Sequence, residues 1–166
     1  MASPQADYQV DRLWSDAHIE QVKTLVGPYL LEVSPFKVDT EQAADLLILQ
    51  NKSIKVACRL RRPGFAERWG RQFTIRLRRT NQTKTELAKI IDGWADWLFY
   101  GHVNDEGYIH LWWLLSLDVF RAALIRDGDR IRCEQKPNKD GTTELMAYDI
   151  GSFPADLVIA SSGDVS

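Results

Sequence analysis

Cysteine is scarce in this chain, with two in 166 residues. Cys58 falls on the apolar side of an apparent strand and reads as a buried, reduced thiol. The three histidines, His18, His102 and His110, share no ligand spacing with one another or with the cysteines, which argues against a structural zinc site. A strong charge of either sign is also missing: 21 Lys and Arg face 23 Asp and Glu, a formal net charge of -2. Any affinity for nucleic acid must therefore come from a local patch. The longest apolar runs, such as residues 111–115, fall far short of a membrane span. The first seven residues have neither a basic start nor an apolar stretch, so the expected location is the cytoplasm. Internal repeats, low-complexity linkers and phosphate-loop, dinucleotide, nucleophile-elbow and zinc-protease motifs are all absent. At this length, with 45% hydrophobic residues, one domain over residues 1–160 is expected, with a frayed tail at 161–166.

What is present is arginine in a regular pattern. Residues 54–62 (IKVACRLRR) and 73–79 (FTIRLRR) both alternate apolar and basic side chains. Successive strand residues point to opposite faces, so Ile54, Val56, Cys58 and Leu60 are expected inward and Ala57, Arg59 and Arg61 outward. Phe73, Ile75 and Leu77 repeat the pattern against Thr74, Arg76 and Arg78. Guanidinium groups on one sheet face make a phosphate-binding surface, since each offers fixed paired donors and stays charged. Between residues 59 and 79 eight arginines stand against the single acid Glu67. Arg68 and Arg71 flank Trp69 in the intervening loop, and an aromatic among arginines can stack on an unpaired base.

The remaining elements follow from periodicity. Residues 16–29 read as an amphipathic helix capped by Ser15, with Ile19, Val22, Leu25 and Val26 on one face. Residues 30–33 can start a strand. Residues 44–49 (ADLLIL) read as a strand folded back through the turn 50–53 onto the first arginine strand. Residues 83–100 read as the clearest helix, with Leu87, Ile90, Ile91, Trp94 and Leu98 as its core stripe. A buried strand at 108–115, a helix at 118–126 and a hairpin of 130–134 with 143–148 complete the order. Trp94, Trp97, Phe99, Tyr100, Tyr108, Trp112 and Trp113 read as core. The fold class is α/β (α+β): a central mixed sheet flanked by helices, plus a C-terminal β-hairpin.

The order and spacing over residues 15–125 resemble the PD-(D/E)XK nuclease superfamily, the restriction-endonuclease-like fold. Ala44-Asp45-Leu46-Leu47-Ile48 matches its first half, and Val56-Ala57-Cys58-Arg59-Leu60-Arg61 its second in place and periodicity. Arg59 stands where the acid should be and Arg61 where the lysine should be. The resemblance implies a site in which two carboxylates hold Mg2+ and the lysine orients the attacking water. Here Arg59 opposes a metal and Arg61 cannot act as a base, so the site is degenerate. The segment 85–101 also resembles small uncharacterised proteins of phages and bacterial genomes, which implies a phage or prophage origin and, for a phage protein, the host cytoplasm.

Glu86, Lys89, Asp92 and Asp96 share one helical stripe, so Asp45 with Glu86 or Asp92, assisted by Lys89, could rebuild a Mg2+ site; Glu32 is another candidate ligand. The bland alternatives are a solvated face with an ordinary Glu86–Lys89 pair, or salt bridges between these acids and the strand arginines. Three functions stay open. One is a nucleic-acid-binding protein without cofactor that holds DNA or RNA phosphates through Arg59, Arg61, Arg76 and Arg78. Another is an active Mg2+-dependent nuclease with Asp45 as metal ligand. The third is an interaction module, such as a phage inhibitor, whose arginine face meets an acidic protein partner. No membrane partner is expected, and oligomeric state is open.

Overall fold

Strand β5 (Trp97–Val103) organises the larger part of the molecule, because every residue from Leu98 to Val103 is buried. A strand covered on both faces reads as a continuous apolar run rather than an alternating one. The computed structural model describes residues 4–33, 46–48, 54–79, 85–137 and 143–163. Asp45, the turn 50–53 and residues 164–166 lie outside the described residues. The chain divides into two compact units, Met1–Ser53 and Ile54–Ser166.

In the first unit, α1 (Pro4–Asp16) and α2 (Ile19–Val26) replace the single helix expected at 16–29. The break falls at Ala17 and His18, where the His18 ring bonds the Trp14 carbonyl at 2.8 Å and packs on the Trp14 ring. Ser15 therefore belongs to the last turn of α1 and caps nothing. Val22 and Val26 of the predicted stripe are buried. β1 (Leu31–Val33) pairs antiparallel with β2 (Leu46–Ile48), so β2 finds its partner upstream and not in the first arginine strand.

In the second unit, β3 (Val56–Arg61), β5, β6 (Ile109–Ser116) and β9 (Val158–Ser161) form a mixed sheet in the order β3-β5-β6-β9. β3 runs parallel to β5, and the other pairings are antiparallel. β4 (Gln72–Arg79) joins β8 (Thr143–Asp149) and β7 (Cys133–Pro137) in a second, antiparallel sheet of order β4-β8-β7. The expected C-terminal hairpin thus exists, but it takes the second arginine strand as its third member. The two arginine strands belong to different sheets, and the reading of one shared arginine face is corrected. The class is α+β, with sheets accompanied by helices. Among the described residues no helix is long and apolar enough to cross a membrane.

The helix expected over 83–100 shrinks to α4 (Glu86–Ile91), capped by the Thr85 hydroxyl, which accepts from the Ala88 N–H. Its end is a Schellman motif: Gly93 has φ +77, its N–H donates to the Ile90 carbonyl, and the Trp94 N–H donates to that of Lys89. Helical spacing beyond Gly93 was coincidental. Aromatic and β-branched density at 97–103 favours a strand once the helix has stopped. Trp94 is consequently exposed, as is Tyr108, and neither belongs to the core as expected.

The core lies between the two sheets and α5 (Leu117–Asp127), which Ser116 caps by accepting from the Val119 N–H. Phe73, Phe120, Tyr148 and Phe153 pack ring against ring at 5.2–6.0 Å, and Leu98, Tyr100, Trp113 and Leu115 close the other side.

Candidate functional site

The side of β3 that bears arginine is the side that faces this core. Ala57 packs against the core cluster, while Cys58 is exposed. The expected orientation of β3 is therefore inverted. Alternation placed Arg59 and Arg61 together, but a six-residue strand with apolar residues on both faces leaves the choice of face to its neighbours. Parallel pairing sets Arg59 opposite Tyr100 and Arg61 opposite His102 on β5.

Each arginine found a different solution to burial. Arg59 Nη1 donates to Glu86 Oε2 at 2.5 Å, with the two side chains only 16% and 27% exposed. The same Glu86 oxygen accepts the Arg76 backbone N–H at 2.9 Å, so α4 delivers one carboxylate that ties both sheets together. Burial pushes the Arg59 guanidinium below its usual pKa; Glu86 opposes that fall and Arg61 adds to it.

Arg61 is half-buried and has neutral partners only. Its Nε donates to Tyr100 Oη at 2.7 Å, its Nη2 donates to Thr74 Oγ1, and its guanidinium lies over the Phe65 and Tyr100 rings at 5.3 and 5.9 Å. Among the described residues no carboxylate pairs with it. Arg76 adds a third cation, whose buried Nε has no hydrogen-bond partner among the described residues. Among the described residues, three guanidiniums stand against one bonded carboxylate, an excess of positive charge.

His102, beside Arg61, is 1% exposed, and neither ring nitrogen has a hydrogen-bond partner among the described residues. Burial first, then Arg61 and His110, push its pKa down to about 4, with Glu67 opposing. At neutral pH it is an uncharged imidazole. Tyr100, Thr74, Phe65 and His102 were not named as site residues from sequence. The available signal was a tyrosine and a histidine inside an otherwise apolar strand.

The other candidates disperse. On the acidic stripe, Glu86 points to the arginines, Lys89 is exposed with its Nζ 5.4 Å from the Trp94 ring centroid, and Asp92 is exposed at the helix C-cap. Asp96 Oδ2 accepts the Lys55 N–H at 2.9 Å and sets the start of the β3–β5 pairing. Of the two weighed alternatives for these acids, the salt bridge holds for Glu86. Mg2+ requires anionic oxygens free to approach at short distance. Glu86 Oε2 is held by the Arg59 guanidinium and the Arg76 amide N–H, so this carboxylate does not fit a magnesium ion. Arg68, Arg71 and Trp69 are exposed on the loop between β3 and β4. Arg78 lies opposite Glu144 in the β4–β8 register, and its side chain lies outside the described residues. Compared with known protein families, with curated proteins and with solved structures, the chain finds no match.

Proposed function

We propose that residues 54–166 bind the phosphate groups of nucleic acid through the arginine cluster at the junction of β3, β4 and β5, without catalysing cleavage. The observation that carries this reading is Arg61: a half-buried guanidinium fixed in orientation by Tyr100 and Thr74, with no counter-charge among the described residues. A cation desolvated without a partner is unfavourable, and an anionic ligand supplies the missing charge. A guanidinium already held at its Nε and one Nη loses little freedom when its remaining donors meet a phosphate oxygen. In a nuclease-like core, Arg59 and Glu86 would then occupy the place of the catalytic acid as a closed ion pair, and the cluster would hold a strand without cutting it.

The test is binding of labelled DNA and RNA as a function of salt, in the wild type and in Arg61→Ala. Log affinity should fall linearly with log salt, and the variant should lower the slope by about one unit while weakening all sequences alike. Unchanged affinity and slope in a folded Arg61→Ala protein would remove the cluster from the binding surface. Arg59→Ala is a poor substitute, because it strands Glu86 beside the Arg76 amide.

A further inference from the structure

The loop that leaves the arginine strand carries an aromatic pair beside the cluster. Phe65, under the Arg61 guanidinium, is the N-cap of α3 (Ala66–Trp69) and lies one helical turn before Trp69, whose N–H donates to the Phe65 carbonyl at 2.9 Å. Gly70 lets this turn lie close to the sheet: a Cβ there would stand 2.6 Å from the Ala66 carbonyl oxygen and 3.3 Å from Leu111 Cδ2. Phe65 is half-buried, but Trp69 is 41% exposed. Across from it, on the edge strand of the second sheet, Lys136 places its Nζ 3.6 Å from the indole centroid and 3.1 Å from Glu134. The ring is thus held from one side by an ammonium group, and part of the residue stays exposed to solvent. Arg62, Arg68 and Arg71 are exposed on the same loop, with Glu67 as its one acid.

We propose that Trp69 is a stacking platform for an unpaired base, so that the nucleic acid held at the arginine cluster is single-stranded at this point. The proposal rests on the phosphate-binding reading above and names the form of ligand that it takes. Phosphate contacts are made equally by duplex and single strand, whereas an indole face adds affinity only where a base presents a free π-face. In a duplex those faces are stacked on their neighbours, and exposing one means breaking that stacking and pairing. An exposed tryptophan four residues after the ring beneath the phosphate-facing arginine puts a base platform next to a phosphate site. Every base has a π-face, so this contact discriminates single from double strand without selecting sequence.

The experiment measures binding of a short labelled oligo(dT) and of a mixed-sequence duplex to the wild type, Trp69→Ala, Trp69→Phe and Arg61→Ala. Trp69→Ala should weaken oligo(dT) binding about tenfold and leave its salt slope and the duplex affinity unchanged. Trp69→Phe, which keeps a ring, should recover most of the loss. Arg61→Ala should lower the salt slope on both probes. The platform is overturned if Trp69→Ala binds oligo(dT) as well as the wild type does, or loses equally on both probes. Duplex and oligo(dT) binding that responds to Arg61→Ala but not to Trp69→Ala overturns the platform and keeps the phosphate site. A wild type that binds neither probe overturns both.

Discussion

Arg59 and Arg61 are two residues apart on one strand face, while Arg68 and Arg71 stand on the loop that follows, and the two pairs live under different electrostatics. The strand arginines sit in a half-dry junction where every partner counts: Arg59 takes a carboxylate, and Arg61 takes a phenol, a hydroxyl and two ring faces. The loop arginines are exposed, where water screens their charge. The same residue type is therefore a structural commitment in one place and a cheap source of surface charge in the other. Loss of a partner should be costly in the junction and nearly silent on the loop.

Glu86→Gln should produce the largest effect, since it leaves Arg59, Arg61 and Arg76 together without a bonded carboxylate. Breaking a largely buried pair by removing one member costs about 3 to 4 kcal/mol, read from urea denaturation at neutral pH. The double variant Arg59→Met with Glu86→Leu should recover most of it. A single variant as stable as the wild type would erase the distinction between junction and loop.

The next effect is a pH dependence. His102 has its folded pKa depressed to about 4 from an ordinary value near 6.5. The unfolded chain then binds the proton more readily between those limits. Stability is full above about pH 6.5 and falls as pH drops towards 4, by about 3 kcal/mol in total for this group. His102→Phe should flatten that part of the curve relative to the wild type and leave stability at pH 7 unchanged or raised, because two unpartnered ring nitrogens disappear. Identical pH profiles for the two proteins would show that His102 finds a partner when it titrates.

Arg68→Ala sits at the other end of the comparison. As an exposed loop residue it should change stability by less than about 0.5 kcal/mol in the same denaturation experiment. A loss above about 1 kcal/mol would mean that the loop belongs to the junction energetically.

Much of the architecture was legible. Amphipathic spacing placed α5, aliphatic and aromatic density placed β6, and turn residues separated β7 from β8. The helix expected at 83–100 failed for a local reason, the left-handed Gly93, and for a global one: a strand buried on both faces carries no alternation to announce itself. In the site, Arg59, Arg61 and Arg76 were named from sequence, and Glu86 was named as a metal candidate or an ion-pair partner. Tyr100, Thr74 and His102 were not assigned to the site, because a polar residue in an apolar run gains meaning only from what stands opposite.

The sequence by itself determined that Arg59 and Arg61 share a face and that Phe73 and Ile75 share another, since alternation is a property of the extended backbone. Only the tertiary structure decided that the arginine face of β3 turns inward, that β3 and β4 enter different sheets, and that Glu86 closes on Arg59 while Arg61 keeps its charge among neutral partners. Those choices depend on groups 13 to 39 residues away along the chain. Which strands pair, and which face is covered, follow from the packing of the whole unit and from the balance between desolvating a cation and finding it a partner.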